Sequence, residues 1–323
     1  MEVHISPPAS EPTLHYLNAC FPGWGEQQMF DWAFSRQMHG QPPTDYILLS
    51  EGGETLAGSG VSYREVLLPN DVAITVGIMT GSWTLPAARG RGFFSRMIDE
   101  SINVTASRKG TLLIAYVTAD NPSCRALLKS GAAAFPTSYF SRQPEAGAVA
   151  ASDEALAEVT NIPDQLIARW RQQYVGFARF GYQAADDWRS QFLYRPSRPR
   201  VFARNADEFA MIDEHGDTDR IVAYLGAQSK FPSGLLRAVF SRAASRGKKM
   251  FAFSSDPELS ELCLASGFAE RPGFLTVNVA DRQLLASALR VKYQPQENPN
   301  ALVADPQSPW FIGTWRLQSG DRM

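Results

Sequence analysis

This chain of 323 residues has little that answers to a metal, a disulfide or a bilayer. Its three cysteines, Cys20, Cys124 and Cys263, are odd in number and far apart. They read as small apolar residues in a reducing compartment, not as a disulfide framework or a thiolate metal site. The four histidines, His4, His15, His39 and His215, form no ligand-spaced pair, so no metal is inferred. Net charge is only −2, from 31 basic and 33 acidic residues, with no long run of either sign. That excludes the electrostatic footprint expected of a nucleic-acid binder or of a protein held on an anionic membrane. No apolar run approaches the ~18 residues of a bilayer span. Met1 to Pro12 lacks the basic flank and apolar core of a signal peptide. The expectation is a cytoplasmic protein with neither nucleic acid nor membrane among its partners.

What is present begins with a junction. The β-branched run Val72 to Thr84 ends at Leu85-Pro86, and the loop Arg89-Gly90-Arg91-Gly92 follows, opening at Phe93 into a helical pattern to Arg108. In that pattern Phe94, Ile98, Ile102 and Ala106 recur every four residues. Such a junction aims several N–H groups and the positive end of a helix dipole at one point. Glycines let an anion approach the backbone, and Arg89 and Arg91 add charge, which makes a phosphate or pyrophosphate cradle. A strand-to-helix turn whose glycines serve geometry alone is the plain alternative. A P-loop is excluded, because no Gly-Lys-Ser/Thr closes the loop, and the dinucleotide fingerprint lacks its third glycine.

Next come the strand Thr111 to Thr118, then Asn121-Pro122 opening a second helix, Ser123 to Ser130, stopped by Gly131. On these residues the chain resembles the GNAT superfamily of acyl-CoA-dependent N-acetyltransferases. The family signature, Arg/Gln-x-x-Gly-x-Gly/Ala, is met by Arg89 to Phe94 except at its sixth place. The resemblance covers roughly residues 14 to 143, and Thr84-Leu85-Pro86 and Asn121 to Gly131 agree with it in order.

The plan recurs. Arg108-Lys109-Gly110, a strand, Asn121-Pro122, Leu127 to Ala132 and Phe135-Pro136 are echoed by Arg246-Gly247-Lys248, Met250 to Phe253, Asp256-Pro257, Cys263 to Phe268 and Arg271-Pro272. Phe30-Asp31-Trp32 and Asp187-Trp188-Arg189 match further upstream, which favours a tandem duplication. The expected architecture is α/β (α+β): two tandem GNAT-like domains, residues 1–145 and 154–323. Each would hold a mixed, mainly antiparallel twisted sheet flanked by helices. Gln143 to Asp153 would be the linker. Arg282 to Ser308 reads as a long surface loop and Trp310 to Leu317 as a closing strand. Lys230 to Leu236, with one glycine and no arginine, replaces the cradle in the second copy, which reads as degenerate.

The resemblance implies acetyl-CoA as co-substrate, held by the amides of Arg91, Gly92, Phe93 and Phe94, with Arg89, Gly90 and Ser95 beside them. It implies pantetheine along the strand ending at Thr84 and Leu85, with the thioester carbonyl near the N–H of Leu85 or its neighbour. Asn121 would bond the pantetheine arm or simply cap its helix. The tyrosine that serves many relatives as acid would stand at Leu127, so Tyr139 and Tyr116 are the replacements nominated, each more often a core or cleft aromatic than an acid. Trp24 and Asp31 are the candidates for the acceptor cleft, and no general base is assigned. The acceptor would be a small-molecule amine, and the protein a monomer or homodimer. A CoA-binding or sensing protein without catalysis is the alternative.

Overall fold

The computed structural model describes residues 1–144, 156–160, 162–227, 230–294 and 298–322. The first half runs β1 (Glu2–Ser6), α1 (Ser10–Cys20), α2 (Gln27–Phe30), a π-helical turn (Asp31–Ser35), β2 (Asp45–Glu51), β3 (Glu54–Leu67), β4 (Ala73–Thr84), α3 (Phe93–Ser107), β5 (Leu112–Thr118), α4 (Pro122–Lys129) and β6 (Ala133–Arg142). The second runs β7 (Ala157–Val159), α5 (Asp164–Gln172), β8 (Arg179–Gly181), α6 (Ala185–Phe192), β9 (Arg200–Ala203), β10 (Phe209–His215), β11 (Thr218–Leu225), α7 (Ser233–Ser245), β12 (Lys249–Ser254), α8 (Pro257–Ala265), β13 (Ala269–Val279), α9 (Arg282–Leu289) and α10 (Pro299–Leu302).

The duplication is visible in this order. β2-β3-β4-α3-β5-α4-β6 and β9-β10-β11-α7-β12-α8-β13 are the same series. Both α4 and α8 start at a proline behind a side-chain cap: Asn121 accepts from the N–H of Ser123, and Asp256 from that of Glu258. Both lead into a glycine at positive φ, Gly131 at 88° and Gly267 at 76°.

Among the described residues the thirteen strands belong to one sheet, in the order β1-β2-β3-β4-β5-β13-β6-β12-β11-β10-β9-β7, with β8 on β3. The centre of that order crosses the halves. β13 lies antiparallel between β5 and β6, and β6 pairs with β12. Each half therefore gives its last strand to the middle of the sheet instead of closing on itself. Within each half the sheet is antiparallel except for one parallel pair, β4 with β5 and β11 with β12.

α3 packs on one face with Val61, Tyr63, Met79, Leu113 and Val117; Leu112, Ile114, Val76 and Ile78 point to the other. The buried stripe of α3 is Phe93, Met97, Ile98, Ser101, Val104 and Thr105, not the every-fourth row from Phe94. A strict i+4 row drifts roughly 40° per step around a helix, so it leaves the buried face within three steps. Phe94 and Ile102 sit at the rim.

Two further expectations change. Arg282 to Ser308 contains α9, capped by the Asp281 carboxylate, and the short α10. Trp310 to Leu317 forms no strand, only one bridge from Trp315 to Ala178. The expected linker falls outside the described residues from 145 onward.

Candidate active site

β4 and β5 pair only over Val76–Ile78 and Leu112–Ile114, then part. At that split β4 carries a bulge: Gly81 and Ser82 stand opposite Ser59 alone, between the pairs Gly60–Thr80 and Gly58–Trp83. Gly81 sits at φ +57°, and a Cβ there would press on Phe34 at 2.8 Å. The Ser82 hydroxyl meets that of Ser59 at 2.7 Å. An isolated Gly inside an apolar strand is the usual sequence signal of such a bulge. Leu85, expected to aim its N–H at a thioester carbonyl, instead donates it to Leu56 at 2.9 Å. That amide is paired, which leaves the neighbouring amide of the two the resemblance implies.

Beyond β4 the glycine loop follows. Gly90 and Gly92 hold φ of 78° and 85°, and a Cβ on either would meet nothing within 4 Å. The first hydrogen bond of α3 runs from Arg96 N to Gly92 O, 3.0 Å. The amides of Phe93, Phe94 and Ser95 therefore precede the helix's own ladder, and no side chain caps them. Arg89 is exposed, its Nε 3.4 Å from the Thr84 carbonyl. Arg91 turns away to pair with Glu51, over the Phe93 ring, so only one of the two arginines adds unpaired charge beside the loop.

A cleft of about 610 Å³ joins these elements. Ser82 and Thr84, the loop from Arg89 to Ser95 without Arg91, Asn121 with the start of α4, and Cys20 and Phe21 at the end of α1 line it. Asn121 does cap α4, its Oδ1 accepting from Ser123 N at 2.9 Å, while it also borders the cleft. None of the lining residues is a carboxylate. Burial raises the Cys20 thiol above its usual value, opposed by Arg89.

The remaining candidates lie elsewhere. Trp24 stacks on Phe34 and Asp31 accepts from Gln27, and neither lines this cleft. Tyr116 and Tyr139 stand on the face away from α3, packed with Phe253 and beneath the Arg322 guanidinium. Burial pushes both phenols up, Tyr116 well above the ordinary range. Leu127 is buried in the core beneath α3. Among the described residues no group of three His, Cys, Asp or Glu could hold a metal ion, and no helix is long and apolar enough to cross a membrane.

The corresponding place in the second half is filled. The Arg204 guanidinium covers Gly234 at the start of α7, where a Cβ would collide with it. β11 and β12 pair only over Thr218–Arg220 and Lys249–Phe251, and the gap beyond is bridged. The Tyr224 hydroxyl donates to Asp256 at 2.9 Å, and the C-terminal segment enters with Leu317 N on Ser255 Oγ at 2.7 Å.

No family model matches the chain, and no curated protein sequence matches it significantly. Solved structures do. A conserved protein of unknown function from Enterococcus faecalis V583, a probable N-acyltransferase, superposes with TM-score 0.62 at 11% identity over 88% of this chain and 74% of its own. A tandem GNAT protein from the clavulanic acid biosynthesis pathway gives 0.59 at 12% identity over 87% and 99%. Eis1 from Mycobacterium abscessus gives 0.54 at 14% over 91% and 77%. The fold is that of the tandem GNAT proteins, a mixed, mostly antiparallel twisted sheet flanked by helices.

Proposed function

We propose that the protein is an acetyl-CoA-dependent N-acetyltransferase whose donor site lies in the first half, residues 1–145. The observation that carries this reading is the open cleft where unpaired amides of α3, the loop glycines and Arg89 face the split between β4 and β5. The residues fit the group: Phe93, Phe94 and Ser95 amides with Arg89 suit a pyrophosphate. The edge of β4 offers main-chain groups to the pantetheine amides, and the bulge at Gly81–Ser82 replaces Leu85 as the place for a carbonyl-directed N–H. A free amine would attack the thioester carbon, forming the C–N bond as the C–S bond breaks. Its proton leaves to water or a base, and the thiolate takes one from water, since Leu127 offers none. The second half, residues 154–323, would support the first and wall the acceptor side. A cytoplasmic monomer or homodimer acting on a small-molecule amine completes the reading.

One observation favours a second reading, a CoA-binding or sensing protein without turnover: the cleft lining holds no carboxylate and the acid position is Leu127. Calorimetric titration with acetyl-CoA, followed by thiol release with an amine panel, separates the two. One-to-one binding with turnover supports transfer. Binding without turnover across the panel supports sensing, and no binding removes both.

A further inference from the structure

On the face of the sheet away from α3, one step before and one step beyond the split of β4 from β5, stand Arg64 and Tyr116. Arg64 is 3% exposed, yet neither Nη1 nor Nη2 has a hydrogen-bond partner among the described residues. The same holds for the Tyr116 hydroxyl, Arg36 Nη2 and Arg322 Nε. These groups form one neighbourhood. Arg64 is within electrostatic reach of Tyr116, Tyr182, Asp321 and Asp187, and Arg36 of Arg64 and Arg195. Arg322 lies over the Tyr116 ring at 5.8 Å.

The carboxylates nearby are occupied by other donors. Asp321 accepts from the Tyr182 hydroxyl at 2.6 Å and from Gln318 N at 2.7 Å. Asp187 accepts from the main-chain N–H of His39 at 2.8 Å and of Ala184 at 3.2 Å. Elsewhere in this chain an arginine beside a buried carboxylate pairs with it in full: Arg108 grips Asp45 through Nε at 2.9 Å and Nη2 at 2.7 Å. A buried guanidinium with both terminal nitrogens unmet is expensive, and Arg64, Tyr116, Arg36 and Arg322 each hold an unmet group that can donate. An oxyanion would meet the Arg64 fork, whose two terminal nitrogens match two oxygens, beside the other unmet donors.

We propose that Arg64, Tyr116, Arg36 and Arg322 form a subsite for an anionic oxygen group, carboxylate or phosphate, carried by the amine acceptor. This rests on the transfer reading above. It narrows the acceptor from any small amine to one with an acid on it, such as an amino acid or an aminoalkyl phosphate.

The test follows thiol release from acetyl-CoA by the full chain and by Arg64→Gln. Glycine and β-alanine are compared with glycinamide and β-alaninamide, and aminoethyl phosphate with ethanolamine. In the wild type kcat/KM for an acid should exceed that of its uncharged counterpart at least tenfold, with the carboxylate and phosphate series showing which acid is read. In Arg64→Gln that ratio should fall toward one while the Kd for acetyl-CoA stays put. Equal rates for acids and uncharged amines in the wild type overturn the subsite and leave transfer standing. If acetyl-CoA fails to bind, or no amine is turned over, thermal shifts with N-acetylglycine and inorganic phosphate decide. A rise in Tm in the wild type that is lost in the variant supports the subsite; no rise in the wild type overturns it. Tyr116→Phe, which removes a single donor, serves in the same assays if Arg64→Gln does not fold.

Discussion

The side-chain amide of Gln318 bonds both main-chain groups of Tyr224: its Nε2 donates to the carbonyl at 2.9 Å, and the Tyr224 N–H donates to its Oε1 at 3.3 Å. A single side chain thus takes the place of a strand where β11 has left β12. Both halves inherit a split between their parallel strands. In the first half it opens on a cleft, and in the second the chain's own C-terminal segment occupies it.

Gln318→Ala should strand the buried Tyr224 N–H, while the Tyr224 carbonyl keeps the Trp170 indole N–H at 3.0 Å, and lower stability by about 1–3 kcal/mol. Urea unfolding checks this. A midpoint equal to the wild type would mean that water or a neighbour replaces the amide.

In the first half the approach to α3 is open, so Gly92→Glu places a carboxylate against the helix start without a steric clash. The positive φ costs about 1 kcal/mol for a side chain, and the charge opposes a pyrophosphate. Titration of Gly92→Glu and of Arg89→Ala should show acetyl-CoA binding weakened roughly tenfold or more, at about 1.4 kcal/mol per decade, with an unchanged far-ultraviolet spectrum. Full affinity in a folded Gly92→Glu would move the donor site elsewhere.

Cys20 borders the cleft with a thiol raised by burial, whereas Cys124 and Cys263 are buried. N-ethylmaleimide should label Cys20 more slowly than free cysteine at pH 7.5, because less thiolate is present. Saturating acetyl-CoA should slow it further. Mass spectrometry of the labelled peptide reads both effects, and labelling indifferent to acetyl-CoA would place the ligand away from α1.

Burial raises the Asp321 carboxyl to about 6, against ~3.9 in an unfolded chain. The folded state therefore keeps a proton that the unfolded state has lost. Stability from this group is full below pH ~4 and is lost as pH rises through about 6, by on the order of 3 kcal/mol. Denaturation at pH 4.5, 5.5 and 6.5 should show that decline, flattened in Asp321→Asn. A variant with the wild-type slope would assign the proton to another group.

Much of this was legible because it is local. The glycine loop, the start of α3 and the Asn121-Pro122 and Asp256-Pro257 caps each depend on residues within a few positions of one another, and periodic matching of such segments exposed the duplication. Periodicity says less about α3 itself, because the row from Phe94 lies beside the stripe that Phe93 and Met97 begin. Trp24 and Asp31 were placed at a cleft by analogy of position. Trp24 packs on Phe34 and Asp31 lies on the π-helical turn, away from the donor cleft, which Cys20 and Phe21 border.

Sequence alone determined the kinds, order and repetition of the elements in the two matching series, since backbone propensity and capping act over a few residues. Tertiary structure decided which strands became neighbours. β13 lies between β5 and β6, more than a hundred residues upstream, because strand pairing depends on exposed edges and matching faces, which no local window contains. The same holds for the C-terminal segment, whose Trp310-to-Leu317 pattern suits a strand but which fills a gap in the second half. It holds as well for Arg64, an ordinary charged residue in β3, which becomes a buried, unmet guanidinium only when the second half and the C-terminus close over that face.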